Sequence, residues 1–189
     1  MTLKRGLRNI ALSATALVVC GGAYLGVEHL TGNIHQVVAG ELYRSGTLSA
    51  GSLETLVKSE GIKTIINLRG EHPDRDWWRA ESAIAEANGI ELVNFSWSAS
   101  KELDDEEIAS YFETLDEART PILIHCMSGS DRSGLAAALY LAHRHHADEE
   151  TAEGQLSIVY GHFGLPFFPA APMDATFERL EPSLGYHDS

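Results

Sequence analysis

The stretch HCMSGSDRSG, residues 125–134, decides the fold of this 189-residue chain. The apolar run at 121–124 comes directly before it and predicts a buried strand, and an Ala- and Leu-rich segment after it predicts a helix. The loop between them begins with Cys126 and reaches Arg132 after five intervening residues. A loop of this length lets the backbone N–H groups of 127–132 converge, and the helix N-terminus adds partial positive charge at the same point. The spacing therefore predicts an anion-binding cup.

Two side chains give this cup its chemistry. Arg132 offers a planar fork that suits two phosphate oxygens. Cys126 is expected beneath the anion as a thiolate, stabilised by the same dipoles and by the guanidinium. A nucleophile below a bound tetrahedral oxyanion is placed to attack phosphorus. The structural alternative is an ordinary strand–helix loop that contains a buried cysteine.

The string His-Cys-x5-Arg-Ser resembles the phosphate-binding loop of the cysteine-dependent protein tyrosine phosphatase superfamily. Its Gly-Ser-Asp-Arg-Ser-Gly ending is similar to the compact bacterial branch, which includes dual-specificity and phosphoinositide phosphatases. The string Leu-Tyr-Arg-Ser-Gly at 42–46 resembles the entry to the catalytic domain in the same bacterial enzymes. Rhodanese-like domains also use a cysteine loop, but without Gly129 and with different flanks. The resemblance extends over residues 36–145 and is looser beyond.

This resemblance implies roles for the residues of the loop. Cys126 would form a phospho-cysteine intermediate, and Ser133 would hydrogen-bond the thiolate and help it to leave. His125 would point away from the phosphate and orient the loop through hydrogen bonds. The phosphate would be held by Met127, Ser128, Gly129, Ser130, Asp131 and Arg132. No metal or cofactor is expected, because the loop itself supplies the positive charge.

The general acid that protonates the leaving group has more than one candidate. Asp131 lies inside the loop, at a position that some bacterial and myotubularin-like phosphatases use for the acid. Its alternative role is structural, tying the loop to a neighbouring N–H or arginine. Asp104 and Asp105 lie in the segment where tyrosine phosphatases often carry a mobile-loop acid. They belong to a run of four carboxylates, which is also typical of a helix start.

Two arginines outside the loop are secondary candidates for the site. Arg44 is expected either to hold the site together or approach a substrate anion, or to form a structural ion pair. Arg69 begins a loop after a predicted strand, where open α/β sheets place ligands. The nearby Trp77 and Trp78 are interpreted as one core and one half-exposed residue, or as an aromatic wall beside the pocket. The histidines clustered at 143–146 are attributed to a helix C-terminus, which favours cations, rather than to a metal site.

The composition limits the partners of the chain. Its formal net charge of −13 predicts repulsion of nucleic acid and of anionic lipid headgroups, so a phosphate must be captured locally in the loop. The two cysteines are Cys20, in the apolar N-terminus, and Cys126. A disulfide within the folded domain is therefore not expected, and the redox compartment stays open.

The order of elements predicts the fold class. Residues 37–45 indicate two short strands around an Ala-Gly turn, and the runs at 64–68, 90–97 and 121–124 indicate further strands. Between and after them, helices are predicted at 49–60, 75–88, 104–118, 148–160 and 173–181, besides the central helix after the loop. Strands that alternate with helices predict an α/β fold with a mainly parallel sheet of four to five strands flanked by helices.

The N-terminus predicts a membrane segment. Lys4, Arg5 and Arg8 precede an apolar run at 10–27. At about 1.5 Å per residue this run spans roughly 27 Å, just enough to cross a bilayer. We therefore expect residues 1–30 to be a single-pass anchor and residues 31–189 to be the catalytic domain, on the extracytoplasmic side. The alternatives are a cleaved signal peptide, which would give a secreted protein, and a buried helix.

These observations predict a phosphomonoester hydrolase. The expected substrates are a phosphotyrosine or phosphoserine protein and a membrane lipid phosphate. The loop positions 127, 128 and 130 carry no lysine, which disfavours highly charged inositides. The alternative is a phosphate-binding module or scaffold without turnover. The oligomeric state is left open.

Overall fold

The computed structural model describes residues 30–186 continuously, and before them Thr15, Val19, Gly21, Gly22, Ala23, Tyr24, Gly26 and Val27. Most of the predicted membrane segment at 10–27, together with the basic residues before it, lies outside the described residues. Among the residues described, no helix is both long and apolar enough to span a membrane.

The described residues contain one five-stranded sheet. Its strands are β1 (His35–Val38), β2 (Leu42–Ser45), β3 (Thr64–Asn67), β4 (Glu91–Asn94) and β5 (Ile122–His125), in the spatial order β1-β2-β5-β3-β4. β2, β5, β3 and β4 run parallel, whereas β1 is antiparallel to β2 because the turn at Gly40, with a φ of +69°, folds the chain back as a hairpin. The predicted α/β sheet is confirmed, and it is mixed rather than all parallel.

Helices cover both faces of the sheet. They are α1 (Ala50–Glu60), α2 (Asp76–Asn88), α3 (Asp105–Glu117), α4 (Asp131–His145), α5 (Glu149–Glu153) and α6 (Ala171–Leu184), with a 3₁₀ turn at Ile158–Tyr160. The prediction of one helix over 148–160 was wrong. α5 ends at Glu153 because Gly154 is a poor helix former and the carbonyl of Gln155 turns toward Arg44.

The sheet topology positions the site. β5 lies in the middle of the sheet, and all four of its residues are buried. α4 follows it through the core, with every residue from Ser133 to Ala142 buried, as the apolar sequence predicts. Ser45, Asn67 and His125 share one register line at the carboxyl ends of β2, β3 and β5. Loops that leave this edge therefore meet around residue 126.

Candidate active site

The loop after β5 closes tightly against β2, and Gly129 makes this approach feasible. Gly129 has a φ of +81°, and a Cβ at this position would lie 2.6 Å from the amide nitrogen of Gly46 and 2.8 Å from the carbonyl carbon of Ser45. The backbone of Thr47 also donates to the carbonyl of Met127 at 3.1 Å. Only glycine therefore fits at the apex of the loop.

Cys126 is a buried free thiol at the base of the loop. Its Sγ accepts the backbone N–H of Gly129 at 3.3 Å and lies 3.4 Å from Oγ of Ser133. The Gly129 N–H is directed at the sulfur, and the Ser133 hydroxyl lies within hydrogen-bond distance of it. The structure therefore brings Cys126 and Ser133 together in the arrangement that the resemblance implies.

Arg132 lies on the side of the loop that faces β3 and β4. Its Nη1 atom donates to the carbonyl of Trp97 at 3.1 Å and, more weakly, to the carbonyl of Leu68 at 3.4 Å. Its Nε atom is buried and has no hydrogen-bond partner among the described residues. A buried donor without an acceptor is costly, so an oxyanion at this position would satisfy it.

Arg44 holds the loop from beneath. Its side chain is fully buried, and Nη2 donates to the carbonyls of Gly129 and Ser130 at 2.9 and 2.8 Å. Nη1 donates to the carbonyl of Gln155 at 2.7 Å, and the guanidinium lies 4.2 Å from the ring centroid of Tyr160. Burial lowers the pKa of Arg44 to about 10, which leaves it protonated at neutral pH. These contacts fit the predicted role in which Arg44 holds the site together.

Arg69, just after β3, lies on the same side of the loop as Arg132. Its Nη1 donates to Oγ1 of Thr47 at 2.8 Å, and Thr47 in turn donates to the carbonyl of Cys126 at 2.9 Å. The guanidinium lies 3.9 Å from the ring centroid of Trp77. Burial and the nearby charge of Arg132 lower the pKa of Arg69. Trp77 and Trp78 are both half-buried, so neither is the core residue that one interpretation expected.

His125 begins the loop and pairs with a carboxylate that sequence reasoning missed. Its Nε2 lies 2.8 Å from Oε2 of Glu81, and both side chains are almost fully buried. Nδ1 lies 3.4 Å from the carbonyl oxygen of Cys126. A signal for Glu81 existed in the sequence, because it lies three and four residues before Ile84 and Ala85, on the buried face of α2. The contact with Glu81 of α2 fixes the orientation of the His125 ring.

The three candidate acids have different partners. Asp104 caps α3 by accepting from the backbone N–H groups of Glu106 and Glu107, and Asp105 binds Arg179 at 2.5 Å. Asp104 therefore serves the helix start that the four-carboxylate run also indicated, and Asp105 connects this start to Arg179 of α6. Asp131, at the first turn of α4, instead places Oδ1 2.8 Å from Nδ1 of His162. Of the three, Asp131 alone belongs to the loop.

Two further residues near the loop carried no sequence signal. Asn33, with a φ of +50°, donates its side-chain amide to the carbonyls of Ser128 and Tyr160 at 3.0 and 2.9 Å. His162 is buried and contacts Asp131 and Asp174 through its two ring nitrogens. Both lie in irregular segments without periodicity, so only the folded chain reveals them.

Two of the three clustered histidines at the end of α4 have carboxylate partners. His143 contacts Asp116 at 2.9 Å, and His145 contacts Glu41 at 3.0 Å. Within the part of the chain that the structure describes, no group of three or more His, Cys, Asp or Glu residues is arranged to hold a metal ion.

Solved structures share this fold. The crystal structure of TpbA from P. aeruginosa aligns with a TM-score of 0.62 at 23% identity, over 82% of this chain and 92% of that one. The core catalytic domain of the PP-IP phosphatase SIW14 from S. cerevisiae aligns with a TM-score of 0.57 at 20% identity, over 82% of this chain and 94% of that one. At these identities the likeness establishes the fold.

Sequence comparison adds the family. The dual specificity protein phosphatase TpbA of Pseudomonas aeruginosa (strain UCBPP-PA14) is 32% identical over 101 residues, which are 52% of this chain and 42% of TpbA. The match thus spans less than half of the length of that curated relative. Residues 27–161, which include the whole sheet, the cysteine loop and α4, match the family model described as DSP-PTPase phosphatase fused to NAD+ kinase. The chain therefore belongs to this DSP-PTPase phosphatase family, within the superfamily of cysteine-dependent protein tyrosine phosphatases.

Proposed function

We propose that the chain hydrolyses phosphomonoesters through a phospho-cysteine intermediate at Cys126. The observation that carries this proposal is the position of the buried sulfur, which receives the Gly129 N–H and lies beside Ser133. Arg132, at the other end of the same loop, keeps a buried Nε without a partner among the described residues. Family membership supports the same reaction. In the first step the thiolate forms the S–P bond as the ester P–O bond breaks, while Arg132 and the loop amides bind the equatorial oxygens.

The leaving oxygen needs a proton, and we propose that Asp131 supplies it. Asp131 is the one acid candidate within the loop, and its side chain is partly exposed. In the second step water attacks the phospho-cysteine, Asp131 takes the proton of that water, and Ser133 hydrogen-bonds the departing thiolate. Replacing Asp131 by Asn should slow phenyl phosphate much more than p-nitrophenyl phosphate, whose leaving group departs without a proton. Equal slowing of both substrates would remove Asp131 from the role.

Turnover is tested with p-nitrophenyl phosphate and the full-length protein. Cys126→Ser should abolish hydrolysis but retain binding of vanadate or phosphate, and Arg132→Lys should reduce the rate by about 10²–10³-fold, since a point charge replaces the bidentate fork. A Cys126→Ser variant that still hydrolyses the substrate contradicts the mechanism. Binding of phosphate without turnover by the wild type would instead support the alternative, a catalytically silent module or scaffold.

We propose a phosphotyrosine or phosphoserine protein or a membrane lipid phosphate as substrate. One TpbA structure contains phosphotyrosine, which supports the first class. Met127, on the rim of the loop, is 63% exposed and offers an apolar contact to either an aromatic ring or a lipid. A phosphate-release panel of phosphotyrosine peptides, phosphoserine peptides and phospholipid vesicles, with Cys126→Ser as the blank, separates the classes.

We also propose that residues 1–30 anchor the protein in the membrane and hold the catalytic domain outside the cytoplasm. The support is the basic residues at 4, 5 and 8 followed by the apolar run at 10–27. A reporter that works only outside the cytoplasm, fused after the last residue, should be active and should sediment with membranes. Reporter activity in the soluble secreted fraction would favour a cleaved signal, and activity only in the cytoplasm would contradict the placement.

A further inference from the structure

His162 joins the end of the cysteine loop to α6. Its Nδ1 lies 2.8 Å from Oδ1 of Asp131, and its Nε2 lies 2.9 Å from Oδ2 and 3.0 Å from Oδ1 of Asp174. The imidazole ring has no exposed surface, whereas the two carboxylates are 27% and 26% exposed. The three groups therefore form a chain with a buried centre and two ends that reach solvent.

The contacts fix the charge of the ring. With both carboxylates ionised, each accepts from one ring nitrogen, so both nitrogens donate and the ring is an imidazolium. Burial alone lowers the pKa of His162, but the hydrogen bonds and charges of Asp131 and Asp174 outweigh it and raise that pKa to about 9. Other charges act on the two carboxylates. Arg44 of β2 interacts with Asp131, and Glu153 of α5 interacts with Asp174, whose groove is also lined by Glu102 and Glu178.

Asp174, at the end of this hydrogen-bonded series that is far from the cysteine loop, is accessible to solvent. Asp174 lines a groove of approximately 590 Å³ between the loop near Ser100 and the segment 164–172. Water in this groove can exchange protons with the Asp174 carboxylate without entering the cysteine loop. The ring is thus connected to solvent on the side away from the phosphate.

We propose that His162 is the proton reservoir of Asp131, and that Asp174 holds the ring in place and connects it to solvent. This inference rests on the proposed hydrolase function. His162 does not touch substrate, so it is a positioning and proton-supplying residue that acts through Asp131. A proton held on His162 explains how the Asp131 carboxylate, in contact with a cationic ring, can serve as the general acid.

The proton balance closes over one turnover. As the ester P–O bond breaks and the S–P bond forms, Asp131 takes the proton of Nδ1 and passes it to the leaving oxygen, which departs as an alcohol. The ring is then neutral and keeps its Nε2 proton toward Asp174. When water attacks phosphorus, its proton passes through Asp131 back to Nδ1, the S–P bond breaks, and inorganic phosphate leaves. The imidazolium is restored and no other reactant is needed.

The test compares full-length variants on two substrates across the pH range. His162→Gln should slow phenyl phosphate by about 10²-fold but p-nitrophenyl phosphate by less than about threefold, and should remove the alkaline limb of the pH–rate profile. Asp174→Asn should move that limb to lower pH, because the ring loses one of the two charges that raise its pKa. His143→Gln is the matched control, since His143, on the same helix as Asp131, pairs with Asp116 of α3, away from the loop.

Each result decides the question. The proposed role of His162 is contradicted if His162→Gln slows both substrates equally, or if Asp174→Asn does not move the alkaline limb. Either result leaves the hydrolase proposal intact. Absence of Cys126-dependent hydrolysis in the wild type overturns both. If His162→Gln does not fold, an NMR titration of the His162 ring in Cys126→Ser decides instead. A ring that is neutral at pH 7 contradicts the proposal, and a cationic ring whose pKa falls in Cys126→Ser/Asp174→Asn supports it.

Discussion

At each end of the cysteine loop a buried histidine contacts a carboxylate, but the surroundings of the two contacts differ. At the start, His125 contacts Glu81, and neither side chain is more than 7% exposed. At the end, His162 is equally buried, but its partners Asp131 and Asp174 both reach solvent. A pair sealed from water can only fix orientation, whereas a pair with exposed carboxylates can also exchange protons. Solvent access rather than residue type therefore separates the two roles.

Gly129, between the two ends, should give the largest effect. Gly129→Ala forces an alanine to a φ of +81° and drives its Cβ into the Gly46 amide. We expect a loss of about 3–5 kcal/mol in the free energy of unfolding, measured in urea, and loss of turnover. Gly89→Ala is the matched control, because Gly89 has a φ of +64° but open space around its Cβ position. Equal losses in the two variants would show that the close approach to β2 is unimportant.

The buried His125–Glu81 pair at the start of the loop should give the second-largest effect on stability. Glu81→Ala removes the partner of buried His125 and should cost about 3 kcal/mol in urea unfolding. Glu86→Ala, on the exposed face of the same helix, should change stability by less than about 0.5 kcal/mol. If the two variants are equally stable, the buried pair does not hold the start of the loop, and the contrast between the two ends fails.

At the end of the loop, His162 and its two aspartates should make the free energy of unfolding depend on pH. The folded-state pKa of His162, about 9, is above its ordinary value of 6.5. The charged ring therefore makes its full contribution to the free energy of unfolding below about pH 6.5, where the folded and unfolded states both bind the proton. This contribution is lost as the pH rises through about 9. Urea unfolding across this range should show the decline in the wild type and a flatter curve in His162→Gln. Parallel curves would mean that the two aspartates do not stabilise the charged ring.

The smallest effect is expected at Asp104, outside both ends. Asp104→Ala removes the N-cap of α3 and should cost about 1 kcal/mol of stability while leaving turnover of phenyl phosphate unchanged. Asp148→Ala is the comparison variant, since it removes the N-cap of α5, where the Asp148 side chain accepts from the backbone N–H of Thr151. A large and selective loss of phenyl phosphate hydrolysis in Asp104→Ala would return the acid role to this residue.

The sequence alone was enough to predict the parts of the molecule that depend on neighbours along the chain. The apolar run, the seven residues from Cys126 to Arg132 and the helix after them form one local unit, so their order and the buried face of α4 could be predicted. The parallel strands followed from their alternation with helices. The caps of α1 and α3 also depend on residues within one turn.

Tertiary structure decided what holds this loop. Arg44 reaches carbonyls about eighty-five positions further along the chain, Asn33 reaches Ser128, and Glu81 and His162 approach the loop from separate segments. Hydrophobic periodicity reports which face of an element is buried, but not which polar group of a distant element it meets. That choice depends on strand order and crossover, because the edge where β2, β3 and β5 end brings these segments together. The sequence thus determined the cysteine loop and the nucleophile that we propose for it, and the fold determined the supports of the loop and the contacts of His162 from which we infer the path of the proton.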